Sequence, residues 1–260
     1  MRKALLVCGV LSSLLYVAML VFVPMQWEGY SSAAQTVSEL SAIDAPTRPL
    51  WVPLGIIYTL LVAAFGWGVW MSARGNRPLR VVAALLVVYG IIGLGWPPMH
   101  QRAVLAAGGG TLSDTLHIVW SFVTVSLMLF AMAFGTAGFG RRFRIYSLTT
   151  IAILVVLGVL TGLDGPRLQA NLPTTLLGVW ERIMIGVFLL WVVVLAVTLL
   201  RRSPSRGGTI ARVKATRVAG MVAPGFEEVR AVFERGARAL GAAAAADRGA
   251  SRLLDSLDDH

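Results

Sequence analysis

Three observations predict an all-α polytopic membrane protein, a six-helix transmembrane bundle with both termini cytoplasmic: six long apolar runs, almost no charge inside them, and Lys and Arg concentrated in alternate connections. Of 260 residues, 57% are hydrophobic and 14% charged, where soluble domains carry roughly 25% charged residues. An ordinary soluble enzyme is excluded on that balance. The runs cover residues 4–24, 51–71, 81–96, 116–134, 145–163 and 176–200. Helices crossing a hydrocarbon core of about 30 Å need about 20 apolar residues, and every run meets or approaches that length. None alternates with the period of two expected of a barrel strand. Residues 1–200 are therefore read as the membrane domain and 201–260 as a cytoplasmic tail.

The first run follows Arg2 and Lys3 and precedes Ser32, Ala33 and Ala34, the pattern of a cleaved signal peptide. Its apolar core of about 20 residues exceeds the ~7 to 15 of a signal, so retention as a helix is expected. Pro97 and Pro98 end the third run, because proline removes a backbone donor and restricts the residue before it. Gly90, Gly93 and Gly95 make that helix narrow. Gly158 and Gly162 give the fifth run a close-approach spacing, read as helix packing.

Orientation follows from the excess of Lys and Arg on the cytoplasmic side. One set of connections holds Arg2, Lys3, Arg74, Arg77, Arg80, Arg141, Arg142, Arg144, Arg201, Arg202 and Arg206; the other holds Arg48, Arg102 and Arg167. The net charge of +10 is thus a topology signal, and nucleic acid is not an expected partner. Trp27, Trp51, Trp96, Trp120 and Trp180 fall near outer helix ends, as an interfacial belt would. The cell membrane is the expected location.

All three outer connections share one face, which gathers the polar residues there. Asp114 and His117, three apart, share one face of the first turns of the fourth helix. Asp114 suits a helix cap, whereas His117 sits where the apolar run begins, and ionisable groups at that depth face polar interiors. His100, in the loop after Pro98, is expected to approach His117. His100, His117 and Asp114 are thus the candidate catalytic or metal-binding residues. Two histidines and a carboxylate are donor types that hold Zn²⁺ with an open position, although their spacing is not a zinc pattern; haem on two histidines was the other metal reading. Glu181 and Arg182 stand before the run 183–200 at the outer boundary, one completing a pocket while the other reaches headgroups. Ser38 and Glu39 cap a short helix or enter the pocket, Ser38 being a nucleophile only if a base such as His117 lies within reach. The candidate ligand-binding set is Ser38, Glu39, His100, Asp114, His117, Glu181 and Arg182. Cys8 is the one cysteine, so no intrachain disulfide forms and no catalytic part is expected of it.

Tyr30 to Leu40 after the first helix, the Pro-terminated third, Asp114 with His117 opening the fourth and Glu181-Arg182 opening the sixth together resemble the bacterial six-span membrane family known as domain of unknown function 998, over about residues 1–200. That resemblance implies the six-helix fold and no activity. More distantly, the outer Ser, Asp and His residues are similar in kind to intramembrane hydrolases such as the alkaline ceramidases, which bind zinc through three histidines; this core offers His100 and His117.

In the tail, Arg201, Arg202, Arg206, Arg212, Lys214 and Arg217 form a basic stretch suited to anionic lipid, and residues 226–240 have the charge order of an amphipathic helix. Residues 222–230 resemble the opening of serine esterases of the β-lactamase-like fold, but the tail is too short for that domain and no catalytic role is expected. Three functions compete: binding of a small polar ligand or lipid headgroup, metal-assisted hydrolysis of a lipid, and a structural or assembly role. Membrane lipids are the expected partners, with self-association left open.

Overall fold

The computed structural model describes residues 1–201, and within them there are helices and no strands. Readings of the tail beyond Arg201 lie outside the described residues. The six long helices are α1 (Arg2–Phe22), α2 (Arg48–Ser72), α3 (Arg77–Ile92), α5 (Leu112–Gly138), α6 (Arg141–Leu163) and α8 (Leu177–Arg201); the one-turn helices α4 (Arg102–Ala106) and α7 (Gly165–Gln169) lie in two of the connections. All six are long and apolar enough to span a membrane. A helix of 25 residues, such as α2 or α8, is ~38 Å long at ~1.5 Å per residue, enough to cross the hydrocarbon and reach the headgroups.

Most helices run a turn or so past the apolar runs that predict them. The reason is visible at Arg48, Arg77 and Arg141, which begin α2, α3 and α6: their long stems continue the helix while the charged heads reach the polar boundary. Asn76 caps α3 by accepting the Leu79 N–H at 3.1 Å, and its amide donates to the Gly138 carbonyl at 3.0 Å. That short turn, with Arg74 and Gly75 at positive φ, ties the start of α3 to the end of α5.

Packing follows a ring: α1 on α2, α2 on α3, α3 on α5, α5 on α6, α6 on α8, and α8 back on α1. Arg2 closes the seam at one end, with Nη1 3.3 Å from the Ser72 hydroxyl and 3.5 Å from the Leu199 carbonyl oxygen. Leu6, Phe65, Leu86, Met132, Phe188 and Trp191 fill the core on that side. Outward positions such as Leu14, Phe122 and Val156 are exposed and apolar, as lipid-facing residues should be. Small residues set the spacing where α2 meets α3: a Cβ at Gly90 would stand 2.7 Å from the Thr59 carbonyl oxygen, and one at Gly93 would collide with the Thr59 methyl. Gly158 lies against Met184 of α8, whereas nothing approaches Gly162, so only the first glycine of that spacing serves packing within the chain.

Arg2, Arg77, Arg141 and Arg201 lie at one end of the bundle, at helix termini brought together by the antiparallel order. The connections carrying the polar candidates gather at the opposite end.

Candidate functional site

The connection between α1 and α2 is a cap folded across the bundle end. Its turns are short 3₁₀ segments, Pro24–Gln26 and Ser38–Ser41, and Leu40 and Ala42 are fully buried beneath them. The Thr47 hydroxyl donates to the Leu40 carbonyl at 2.7 Å, and the Arg48 guanidinium donates to the Ser41 carbonyl, fixing the start of α2 to the underside of the cap.

Two polar clusters hold this cap, and a third fixes the connection between α3 and α5 beside it. In the first, Glu39, 2% exposed, forms a bidentate ion pair with Arg102 of α4, Nε to Oε1 at 2.8 Å and Nη2 to Oε2 at 2.7 Å. The Thr36 N–H and hydroxyl also donate to Glu39 Oε2, at 2.7 and 3.0 Å. Arg102 Nη1 reaches the Thr174 hydroxyl, which donates to the Ala34 carbonyl at 2.6 Å. All three connections at this end of the bundle are joined through this one guanidinium.

The second cluster centres on Arg182, which donates from Nη1 to the Gln35 and Gly178 carbonyls at 3.0 and 3.1 Å and from Nη2 to the Tyr30 hydroxyl at 2.8 Å. Tyr30 donates in turn to the Thr36 carbonyl at 2.7 Å, and its ring lies under the guanidinium. Burial pushes the Tyr30 phenol up to about 12, against the opposing pull of Arg182. Gly178 lets α8 come this close, since a Cβ there would strike the Gln35 and Ser32 carbonyl oxygens.

The third cluster is Asp114 with His100. Thr111 and Asp114 form a reciprocal capping box at the start of α5, and the same carboxylate accepts the His100 N–H at 2.6 Å and its Nδ1–H at 2.9 Å. No hydrogen bond joins His100 to His117: Asp114 holds the His100 ring, and the Pro97 carbonyl oxygen lies 2.6 Å from His117 Nδ1. A carbonyl only accepts, so His117 Nδ1 carries the proton. Asp114, Glu39 and Arg182 likewise bond partners within the connections at this end, Asp114 to Thr111 and His100, Glu39 to Thr36 and Arg102, Arg182 to Gln35 and Tyr30, and none of the three lines the cavity.

Beneath the cap, inside the ring, lies a cavity of about 280 Å³. Its walls are aromatic, with Tyr16, Trp51, Tyr58, Tyr89, Trp96 and Trp120, and its floor is Val125, Met128 and Leu154. Tyr16 packs on Tyr58 at 4.6 Å between centroids and edge-on to Trp51 at 5.8 Å, while the Tyr58 and Tyr89 hydroxyls are 3.2 Å apart. Ser38, His117 and Glu181 are the candidate residues that line it. Glu181 accepts the Val37 N–H at 2.6 Å through Oε2. Ser38 and His117 share the cavity without a hydrogen bond joining them, so the nucleophile reading of Ser38 lacks its base. Thr161, also in the wall, has a buried hydroxyl with no partner.

Among the described residues no three His, Cys, Asp or Glu side chains come together as metal donors. His100 and His117 each have one ring nitrogen tied to another partner, so the zinc reading finds no assembled three-donor set among the described residues. Arg102 and the tyrosines entered the sequence argument only as loop charge or not at all. One signal was available: His117, Trp120, Ser121, Thr124, Val125 and Met128 recur at three- and four-residue intervals, the face of α5 that lines the cavity.

Residues 10–198 match the model of a family described as a protein of unknown function, DUF998. No curated protein and no solved structure matches the chain.

Proposed function

The chain belongs to the DUF998 family, and we propose that it is a multi-pass membrane protein that binds a small polar or amphiphilic ligand, free or as a lipid headgroup, in the cavity beneath its cap. The observation that carries this reading is the cavity itself. It lies near the lower end of the ~300 to 1,000 Å³ of small-molecule sites and has their make-up, mostly apolar and aromatic walls with a few polar groups that fix orientation. Ser38, His117 and Glu181 supply those groups. Glu39, Arg102, Tyr30 and Arg182 hold the cap in place, and His100 with Asp114 fixes the connection beside it.

The same reading sets the cap on the extracytoplasmic side of the cell membrane and both termini in the cytoplasm, by the distribution of Lys and Arg. Native mass spectrometry of the protein released from lipid nanodiscs tests the binding reading. Wild type should carry a small molecule or lipid adduct, and Ser121→Trp, which fills the cavity from α5, should lose it while keeping its helical circular dichroism. Equal adducts on both proteins, or none on folded wild type, would leave a structural role as the better account.

A further inference from the structure

Resting on that reading of the cavity, we propose that its ligand is an organic ammonium ion, received against the carboxylate of Glu181 within the tyrosine and tryptophan walls. The charge balance of the lining points this way. Among the described residues no Lys or Arg lines the cavity, and Glu181 is its one carboxylate. Arg182, next in sequence, lies outside the lining and spends its Nη1 and Nη2 on two carbonyls and the Tyr30 hydroxyl, while its buried Nε has no partner among the described residues; neither ion pair in the described residues includes Glu181. One Glu181 oxygen is held by the Val37 N–H; among the described residues Oε1 accepts no hydrogen bond, and the side chain belongs to the cavity lining.

The remaining chemistry agrees in sign. His117 donates from Nδ1 to the Pro97 carbonyl, which leaves Nε2 of the neutral ring as an acceptor. Aromatic faces carry a negative quadrupole and attract cations within about 6 Å, the more so when desolvated. The wall offers such rings from four helices: Tyr16 of α1, Trp51 and Tyr58 of α2, Tyr89 of α3 and Trp120 of α5. An anionic ligand would meet a carboxylate and ring faces with no countercharge. A neutral ligand would leave Glu181 with the Val37 N–H as its one hydrogen-bond donor among the described residues. The apolar floor of Val125, Met128 and Leu154 suits a hydrocarbon part attached to the ammonium group.

Trp51, Trp96 and Trp120 in the wall provide a fluorescence readout. The full chain in detergent is titrated with phenethylamine, with phenethyl alcohol of nearly the same shape, and with phenylacetate. The amine should bind at least tenfold more tightly than either, and Glu181→Gln should erase that preference. The glutamine keeps an amide oxygen for the Val37 N–H, so the cap is retained; Tyr58→Leu should weaken the amine alone. Nanodiscs of phosphatidylethanolamine against phosphatidylglycerol separate the sources of the ammonium group. Retention of the first lipid with no binding of free amine assigns a lipid headgroup, and the reverse assigns a soluble amine. If alcohol, carboxylate or phosphatidylglycerol binds as well as the amine, the cation inference falls while the cavity remains a binding site. Should none of the probes bind to folded protein, the inference falls together with the binding reading.

Discussion

Arg102 and Glu39, 63 residues apart, meet in a two-pronged ion pair under the cap, at 2.7 and 2.8 Å. Both are largely removed from water, Glu39 almost wholly. Deleting one partner strands the other charge, which for buried pairs costs about 3–5 kcal/mol. Arg102→Ala should therefore lower the unfolding midpoint in detergent far more than Arg77→Ala at the opposite end. The double variant Arg102→Leu, Glu39→Leu should recover part of the loss. A midpoint for Arg102→Ala equal to wild type would mean that the pair contributes nothing.

Asp114 answers four donors, from Thr111 and His100, and lies outside the cavity lining. Asp114→Ala should cost the helix its cap, about 0.5–2 kcal/mol, and His100→Ala less. Both should leave ligand occupancy in native mass spectra unchanged, whereas His117→Ala should reduce it. Loss of the adduct in stably folded Asp114→Ala would assign that carboxylate to the ligand.

Tyr30 offers a test by pH. Its phenol is raised by burial from an ordinary 10.0 to about 12, so the folded state favours the protonated form. The stability this contributes is complete below pH 10 and is lost as pH climbs from 10 through 12. An ultraviolet tyrosinate titration, wild type minus Tyr30→Phe, should show this one phenol ionising near 12. A difference spectrum already complete at pH 10 would contradict the burial of Tyr30 beside Arg182.

Close approach makes Gly178 and Gly162 a matched pair. A methyl group at Gly178 meets two cap carbonyls, while at Gly162 it meets open space. Gly178→Ala should shift the cap and destabilise by about 1–3 kcal/mol; Gly162→Ala should be neutral or slightly stabilising, alanine being the better helix former. Limited proteolysis between residues 25 and 47 reads the difference, and equal cleavage of the two variants would show that α8 does not support the cap.

Sidedness can be read with thiol reagents that do not cross membranes, in a Cys8→Ala background. Glu28→Cys in the cap should label from outside intact cells and Arg141→Cys only after lysis. Labelling of both from the same side would reverse the topology expected from the arginines.

The spans were legible because twenty apolar residues in a row have few other uses, and the ends of α3 and α5 because Pro97-Pro98 and Asp114 act through local backbone chemistry. His117 and Glu181 stood out as ionisable groups at the edge of apolar runs. Arg102 did not, since one arginine in a loop looks like any other until Glu39 is folded against it. Tyr16, Tyr58 and Tyr89 were hidden for a related reason: an aromatic residue in a membrane helix fits lipid, core and cavity equally well by composition. Only the ring order of the helices brings those three tyrosines to one wall, and that order is set by contacts distant in sequence. His100 and Asp114 belong to one candidate group in the sequence, but their direct hydrogen bonds were not legible, because a histidine after Pro98 has no preferred direction in sequence.

The ring is closed by α1 and α8, the first and last of the described helices, joined where Arg2 meets Leu199. Neighbouring hairpins such as α2 with α3 are complete as soon as they are synthesised, but the recess lacks a side until Glu181 and Met184 arrive. A nascent chain released before α8 would hold five helices around an unfinished wall, with Ser13 deprived of its Leu189 carbonyl partner. The interior is therefore created only when α8 is in place, and quality control that senses an open α1 edge would recognise a product truncated before it.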